Sequence, residues 1–331
     1  MVTLKDENPA SCSIPCNICG SGMVEELSLK DRKGDYLRTV ICLSCGLIWS
    51  DPRPTEGEIR AYYSCDYRQE YKGVYQPELK HIYRDAHNAL LRYGFLSEVL
   101  DKNSAILDIG SGAGVFVYVL RKMGLNAAGL EPNEGYAKYS IDELRVPVQV
   151  GFIQDIEDST KYDLITLHHV LEHLYDPLGI LRKIAALLKD DGFLAIEVPN
   201  AENLWQDPKN RYHSAHHYTF NPETLEYIGQ KAGFEVHKRQ IAPYSGNINV
   251  IFKKTENSSQ VDNLAPDNYQ RITNILNRHT NFRHFTTFTP YKKFMRKALT
   301  MLEERLAVRK FETGKKIVDD VMAKGNFLAR E

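Results

Sequence analysis

The 331-residue chain has no stretch of about 18 consecutive apolar residues, so no membrane-spanning helix is expected. Its first ten residues, Met1 to Ala10, are polar and charged and lack the apolar centre of a secretory signal. An excess of charge of one sign is missing too. The formal net charge is -1, so no global basic field argues for nucleic acid. Internal repeats and low-complexity tracts are absent. Cysteine is scarce, six in all. Without an export signal a cytoplasmic location is expected, where thiols stay reduced, and paired cysteines read as metal ligands before disulfides. What is present, 43% hydrophobic and 26% charged residues, suffices for one large soluble domain and a smaller one.

The cysteines are not scattered. Cys16-Asn-Ile-Cys19-Gly20 and Cys42-Leu-Ser-Cys45-Gly46 are two C-x-x-C-G knuckles. Strand-like alternation and a Lys33-Gly34-Asp35 turn lie between them. Four thiolates so spaced can close a tetrahedron around Zn²⁺ with bonds of about 2.3 Å, leaving no open position for catalysis. A block this small cannot bury enough apolar surface alone, so the metal would supply its folding energy. Reduced free cysteines or a redox pair are the rival readings. Cys12 and Cys65 fit neither pair.

The chain divides into four parts: a zinc ribbon over 1–50, a connector with an amphipathic helix over 51–100, an α/β domain over 101–254, and a helical extension over 255–331. In the connector, Asp51-Pro52-Arg53-Pro54 stops the ribbon, and Tyr62, Tyr63, Tyr67, Tyr71 and Tyr75 follow as packing residues. From Glu78 to Leu100 apolar residues recur at helical spacing. The third part alternates strand and helix patterns, with seven strands near 105–109, 127–130, 148–150, 163–167, 193–198, 234–238 and 248–252. Such alternation implies a doubly wound, mostly parallel, Rossmann-like sheet. Ligands of these sheets bind beyond the carboxyl ends of the strands, where strand order reverses. In the last part Tyr291, Phe294, Met295, Ala298, Leu302 and Leu306 form one apolar stripe, and Ile317, Val318, Val321 and Met322 a shorter one. A helical cap or a homo-oligomer contact is expected there, with a site for an anionic partner as the other reading.

The strand 105–109 runs into Gly110-Ser111-Gly112-Ala113-Gly114 and then a helix, and Glu131 ends the next strand. A glycine-rich loop alone could suit NAD. Here the pattern is G-x-G-x-G, and Asp108 precedes it by two residues. An acid there would repel a pyrophosphate and attract the ammonium and sulfonium of S-adenosylmethionine (SAM). The stretch Leu107 to Gly114 resembles the first motif of class I SAM-dependent methyltransferases. Gly129-Leu130-Glu131-Pro132 resembles their second motif, Tyr162 to Leu174 their fourth-strand motif, and Asp191 to Asn200 their fifth strand. The motifs fall in order between about residues 80 and 254. The resemblance implies that Asp108, Gly110, Ser111, Gly112 and Gly114 hold the methionine end of SAM and that Glu131, beside Pro132, takes the ribose hydroxyls. It places the Gly151-Phe152-Ile153 turn against the adenine and gives His168 a backbone contact. Phe152 departs from the pattern, where an acid is common. Paired cysteines before such a domain resemble a bacterial subset of zinc-ribbon methyltransferases frequent in surface-polysaccharide and natural-product pathways.

Methyl transfer to a hydroxyl requires positioning and removal of a proton, most often by histidine. Two histidine groups fall beyond strand ends: His168, His169 and His173 after the fourth strand, and His213, His216 and His217 after the fifth. His216, His173 and His217 are the candidate catalytic residues, with His216 favoured, while His169 reads as packing. A second metal site among these histidines lacks a carboxylate pattern to support it. The segment after the fourth strand reads His168-His169-Val170-Leu171 instead of N-P-P-Y, which disfavours base N-methylation. The expected reaction is O-methylation of a small carbohydrate acceptor, a sugar or sugar nucleotide. The alternatives are an RNA methyltransferase gripping RNA with its ribbon, a sugar C-methyltransferase, and a SAM-binding scaffold. The ribbon lacks a basic stripe with interleaved aromatics, and the helical tail is too short for the second nucleotide-binding-like domain of the C-methyltransferases.

Overall fold

A computed structural model of the chain describes residues 14–66, 76–157, 159, 161–243, 245–255 and 267–325. Cys12, Tyr67, Tyr71 and Tyr75 lie outside the described residues. Eleven described strands form two sheets. The larger contains β4 (Ala105–Ile109), β5 (Asn126–Glu131), β6 (Val148–Val150), β7 (Tyr162–His168), β8 (Leu188–Val198), β10 (Phe234–Ile241) and β11 (Ile248–Lys254). Their order is β10-β11-β8-β7-β4-β5-β6. All pairs from β8 to β6 are parallel, and β11 runs antiparallel to both neighbours. This is the expected Rossmann-like sheet. The order reverses between β4 and β7, whose carboxyl ends therefore flank the predicted binding crevice. β4 and β7 read as nearly continuous apolar runs because helices cover both faces. β8 starts at Leu188, five residues before the expected Phe193, because the chain stays extended through Asp190-Asp191-Gly192 with a register shift opposite Tyr162.

On one face lie α2 (Leu79–Leu96), α3 (Val115–Lys122) and α10 (Gly314–Ala323). α3 buries Val115 to Leu120 completely because it is sandwiched between the sheet and the outer helices. α10 seats Ile317, Val318 and Val321 on α2, so the shorter C-terminal stripe is a cap on the core. On the other face, α5 (Pro177–Leu187) and α6 (Pro222–Lys231) pack with β8, β10 and β11. Both start with proline at the first helical position behind a capping Asp176 or Asn221.

The smaller sheet comprises β1 (Val24–Lys30), β2 (Tyr36–Cys42), β3 (Ile48–Ser50) and β9 (Tyr218–Thr219), in that order. Its fourth strand comes from the loop after β8, not from the cysteine-bearing block. Ile48 and Trp49 pair antiparallel with Thr219 and Tyr218. α7 (Asn268–Arg278) buries Ile272 and Leu276 against Ile41 and Ile48 of this sheet. Between the sheets α1 (Glu56–Ala61), started by a Thr55/Glu58 capping box, leads into a π-helical turn over 62–66. α4 (Glu134–Tyr139) and α8 (Asn281–Phe285) are single short turns. α9 (Thr289–Val308) departs from expectation. Its stripe of Tyr291, Phe294, Met295, Leu302 and Leu306 is exposed, and only Glu304 is buried. The polar side of α9 faces the body, where the Glu304 carboxylate meets Arg84 of α2 through two 2.6 Å bonds.

Candidate functional site

The sulfurs of Cys16 and Cys45 lie 3.4 Å apart and those of Cys19 and Cys42 3.5 Å apart, with all four within 4.8 Å of one another. A tetrahedron with metal–sulfur bonds of about 2.3 Å has edges near 3.8 Å, so the donor set and its spacing fit a Zn²⁺-like ion. Cys42 closes β2 and Cys45 lies in the turn before β3, and that turn is clamped from outside. The Asn268 side chain donates to the Cys45 carbonyl (2.8 Å), and a Cβ at Gly46, φ +75°, would lie 2.8 Å from the same amide. The block is bonded to the larger sheet's loops. Ser50 N–H donates to His217 O (3.0 Å), and Arg32 N–H to Tyr212 O (3.0 Å). The Asn17 side chain donates to Asp176 (2.8 Å) and accepts from Leu178 N–H (3.0 Å). Arg53 lies over the rings of Tyr175 and Tyr218.

Beyond the carboxyl ends of β4, β7 and β8 opens a cleft of about 510 Å³. Its inner wall carries Asp108, Gly110, Ser111, Gly112 and His168. Asp108 is buried and accepts from Thr166 Oγ1 (2.6 Å) and His168 Nδ1 (3.3 Å). The His168 ring also meets Phe116 edge-on. Burial first, and then Arg92, lower its pKa and keep it neutral. Gly110 has φ +70°, and a Cβ there would come within 2.5 Å of Val170. Gly114 does not line the cleft. It sits behind the loop against Ser140 and Val146, where a side chain would collide.

A second cavity of about 100 Å³ adjoins the first, sharing Gly110, His169 and His173. Glu131, Pro132, Phe152 and Ile153 line it from the sheet side, and Ile59, Arg60 and Tyr63 cover it. Glu131 is buried and accepts from Gly112 N–H (2.7 Å) and Asn133 N–H (3.1 Å), which aims the carboxylate at the loop. The Arg60 guanidinium lies 4.3 Å over the Phe152 ring, and its Nη2 donates to both carboxylate oxygens of Asp155. An acid does exist near this turn, three residues after Phe152, and it is spent on holding the cover.

His173 and His216 both line the large cleft with ring centroids 4.9 Å apart, and His213 stacks on His216 at 4.9 Å. His173 Nδ1 lies 2.7 Å from Ala215 O and 2.7 Å from Tyr63 Oη. A carbonyl can only accept, so Nδ1 carries a proton. Burial, and then the neighbouring His173, hold the His216 pKa well below the usual histidine range. Burial and Arg32 push His213 down to about 4. Glu172 joins His173 and His216, one ligand atom of each lying within 4.8 Å of the others, so a carboxylate that the sequence pattern did not offer stands beside these histidines in the fold. His217 lies outside the cleft. It is buried, neither ring nitrogen has a hydrogen-bond partner among the described residues, and burial lowers its pKa to about 3.

His169, expected to pack, instead lines both cavities with φ +56°. Left-handed backbone at a non-glycine residue is strained and is found where surrounding structure imposes it. Here His169 N–H donates to Glu197 O (2.8 Å), and its ring lies 3.3 Å from both Glu172 and Glu197. Burial opposes the charge, but the two carboxylates overcome it and raise the His169 pKa to about 10. Its side chain is 40% exposed, so water screens part of that attraction. Glu172 is 1% exposed, and despite burial His173 and His169 hold it ionised, down to about 2. Arg92 extends the chain of charges to Glu197 (2.9 Å). The sequence signals for this group were an acid, Glu197, next to the end of β8 and an arginine, Arg92, on the amphipathic helix α2. They are 105 residues apart and too weak to join without coordinates.

A family model described as a methyltransferase domain matches residues 75–239. A ubiquinone biosynthesis O-methyltransferase of Actinobacillus pleuropneumoniae serotype 7 (strain AP76) is 33% identical over 106 residues, 29% of this chain and 45% of that protein. The like-named protein of Vibrio parahaemolyticus serotype O3:K6 (strain RIMD 2210633) is 28% identical over 119 residues, 33% of this chain and 51% of that protein. The chain thus spans about half the length of the curated relatives it matches. Among solved structures, magnesium protoporphyrin IX methyltransferase from Synechocystis PCC 6803 superposes with a TM-score of 0.48 at 13% identity, covering 60% of this chain and 98% of that one. The 1,6-didemethyltoxoflavin-N1-methyltransferase of Burkholderia thailandensis gives 0.46 at 17% identity, covering 63% and 96%.

Proposed function

Residues 75–239 being a methyltransferase domain, we propose that the protein moves the methyl group of SAM to a hydroxyl of a polar, polyhydroxylated acceptor, a sugar or sugar nucleotide of the kind used in surface polysaccharides or natural products. The observation that carries the acceptor class is the outer wall of the large cleft. Asn200, Asn203, Gln206, Asn210, Thr219, Ser245 and Asn247 line it, with Arg32 and Arg211 among them. Uncharged donors and acceptors in such number suit a ring of hydroxyls, and guanidinium groups suit an attached phosphate. O-methylation is also in the names of the curated relatives, but an apolar acceptor would find little apolar surface on this wall.

In this reading Asp108 faces the ammonium end of SAM, Glu131 takes the ribose hydroxyls, and the small cavity between Phe152, Ile153 and Tyr63 takes the adenine. Gly110, Ser111 and Gly112 let the backbone approach the ligand closely, with Gly114 fixing the turn behind them. The acceptor oxygen attacks the methyl carbon as the carbon–sulfur bond breaks, its electron pair staying on sulfur. The hydroxyl proton passes to a neutral imidazole, that of His216. His173, held through Nδ1 by Ala215 O, stands against that ring, and a general base of this kind contributes about 10²–10⁴-fold. A Zn²⁺ ion in the Cys16, Cys19, Cys42 and Cys45 cluster would be structural, since four thiolates leave no position for a substrate.

The test is calorimetric titration of metal-quantified protein with S-adenosylhomocysteine, followed by transfer of labelled methyl to sugar nucleotides. Micromolar binding at one site with one zinc per chain, and labelling of a sugar nucleotide, are expected. Tight binding with no labelled carbohydrate would reject the acceptor class, and absence of binding would reject methyl transfer altogether.

A further inference from the structure

We propose that the segment spanning α8 and α9 docks the protein on an anionic lipid bilayer surface. α9 is held against the body by polar groups. Lys293 Nζ donates to Trp205 O (3.1 Å), and Glu304 pairs with Arg84. These two positions are eleven residues, three helical turns, apart and so share one side of the helix. The body therefore grips α9 by its polar side. The apolar side points away from the body: Phe294 is 74% exposed, Met295 63%, Leu299 64% and Leu302 55%. Phe282 and Phe288 extend the patch through α8 at 80% and 81%. A helix normally buries its apolar stripe and exposes its charges. One that does the reverse is built for a partner.

Charge selects the partner. Between Thr280 and Lys310 the chain has eight Lys and Arg against two Glu, a local +6 in a chain whose formal net charge is -1. One of those two glutamates, Glu304, is already neutralised by Arg84. A second copy of the chain would bring a second +6 against the first. A bilayer with anionic headgroups is complementary to both features: aromatic and aliphatic side chains enter the acyl boundary while flanking lysines and arginines meet the headgroups. No helix among the described residues is long and apolar enough to cross a membrane, so the segment lies on the surface. Through Trp205 it borders the loop bearing Asn203, Gln206 and Arg211, and docking would hold the mouth of the large cleft beside the lipid.

Vesicle flotation tests this independently of any methyl transfer. The full-length, metal-loaded protein is expected to float with phosphatidylcholine–phosphatidylglycerol vesicles and not with phosphatidylcholine alone, and to dissociate as salt screens the headgroups. Phe294→Asp with Leu299→Asp, and separately Lys292→Glu with Lys297→Glu, should each weaken binding about tenfold or more. Both pairs should keep wild-type affinity for S-adenosylhomocysteine, and because the replaced side chains are in solvent, the fold should tolerate the changes. Failure to float on phosphatidylglycerol at low salt would overturn the proposal. So would equal binding to both vesicle types, or a dimer in light scattering that the Phe294→Asp, Leu299→Asp variant converts to monomer.

Discussion

At the scale of single residues, the cleft separates histidines that could accept a proton from one that cannot. His169, flanked by Glu172 and Glu197, is held protonated, whereas the depressed pKa of His216 keeps it neutral. His173→Ala and His216→Ala should each lower kcat about 10²-fold or more, with affinity for S-adenosylhomocysteine changed only a few-fold. Full activity in both variants would show that the base is elsewhere. For His216 as base, the sign of its shift sets the pH profile. A lowered pKa leaves the imidazole unprotonated as pH falls through about 6.5, so the acid limb of kcat should lie below the ordinary histidine range. An acid limb centred on 6.5 or higher would argue against His216. His169→Asn tests the charged site: asparagine tolerates left-handed backbone, so loss of activity without loss of stability would assign the effect to the cation and not to strain.

At the scale of elements, the smaller sheet takes its last strand, β9, from the loop after β8, through a short pairing with β3. His216 and His217 immediately precede β9 in the chain, so the cysteine cluster supports one wall of the cleft from behind. Cys16→Ser should lower Tm by several degrees and reduce bound zinc. Chelation should depress acceptor turnover more than affinity for S-adenosylhomocysteine, because Asp108 and Glu131 hang from β4 and β5 instead. Equal losses in both would mean that the ribbon supports the whole fold and not this wall in particular. This coupling was not legible in the sequence. The knuckles announced themselves by spacing, and β4, β5, β7 and the loop after β4 by apolar runs ending in glycine and acid. Tyr218 and Thr219 favour strands, but a two-residue run is too short to read as one; their pairing is decided by where β3 lies. The α9 stripe shows the complementary limit. Its 3.6-residue period revealed a helix, but period cannot tell which side the body holds; the held side carries Glu304, whose partner Arg84 lies 220 residues away.

At the scale of the whole molecule, three histidines drawn out of water make stability depend on pH. His213 and His217 have pKa values lowered to about 4 and about 3, and that of His216 is also low. In the unfolded chain each would take up a proton near 6.5. Below that value the unfolded state binds more protons than the folded one, so stability falls as pH drops from about 6.5 toward 4. Glu172, ionised down to about 2 in the fold, adds a loss in the same direction near the acid end. His169 is protonated in both states over this window and adds little. Thermal melts at pH 7 and pH 5 should show a lower Tm at pH 5; an unchanged Tm would mean that these histidines are solvated. The late position of β9 also has a consequence for synthesis. The cysteine knuckles are complete once residue 45 has emerged, yet β3 keeps an unpaired edge until Tyr218 and Thr219 follow. At about 5–20 residues per second that edge stays open for roughly 10–30 s on the ribosome. During that interval the half-built ribbon is a template for any extended chain nearby, and the nascent protein is at its most vulnerable to misassembly before its larger sheet is finished.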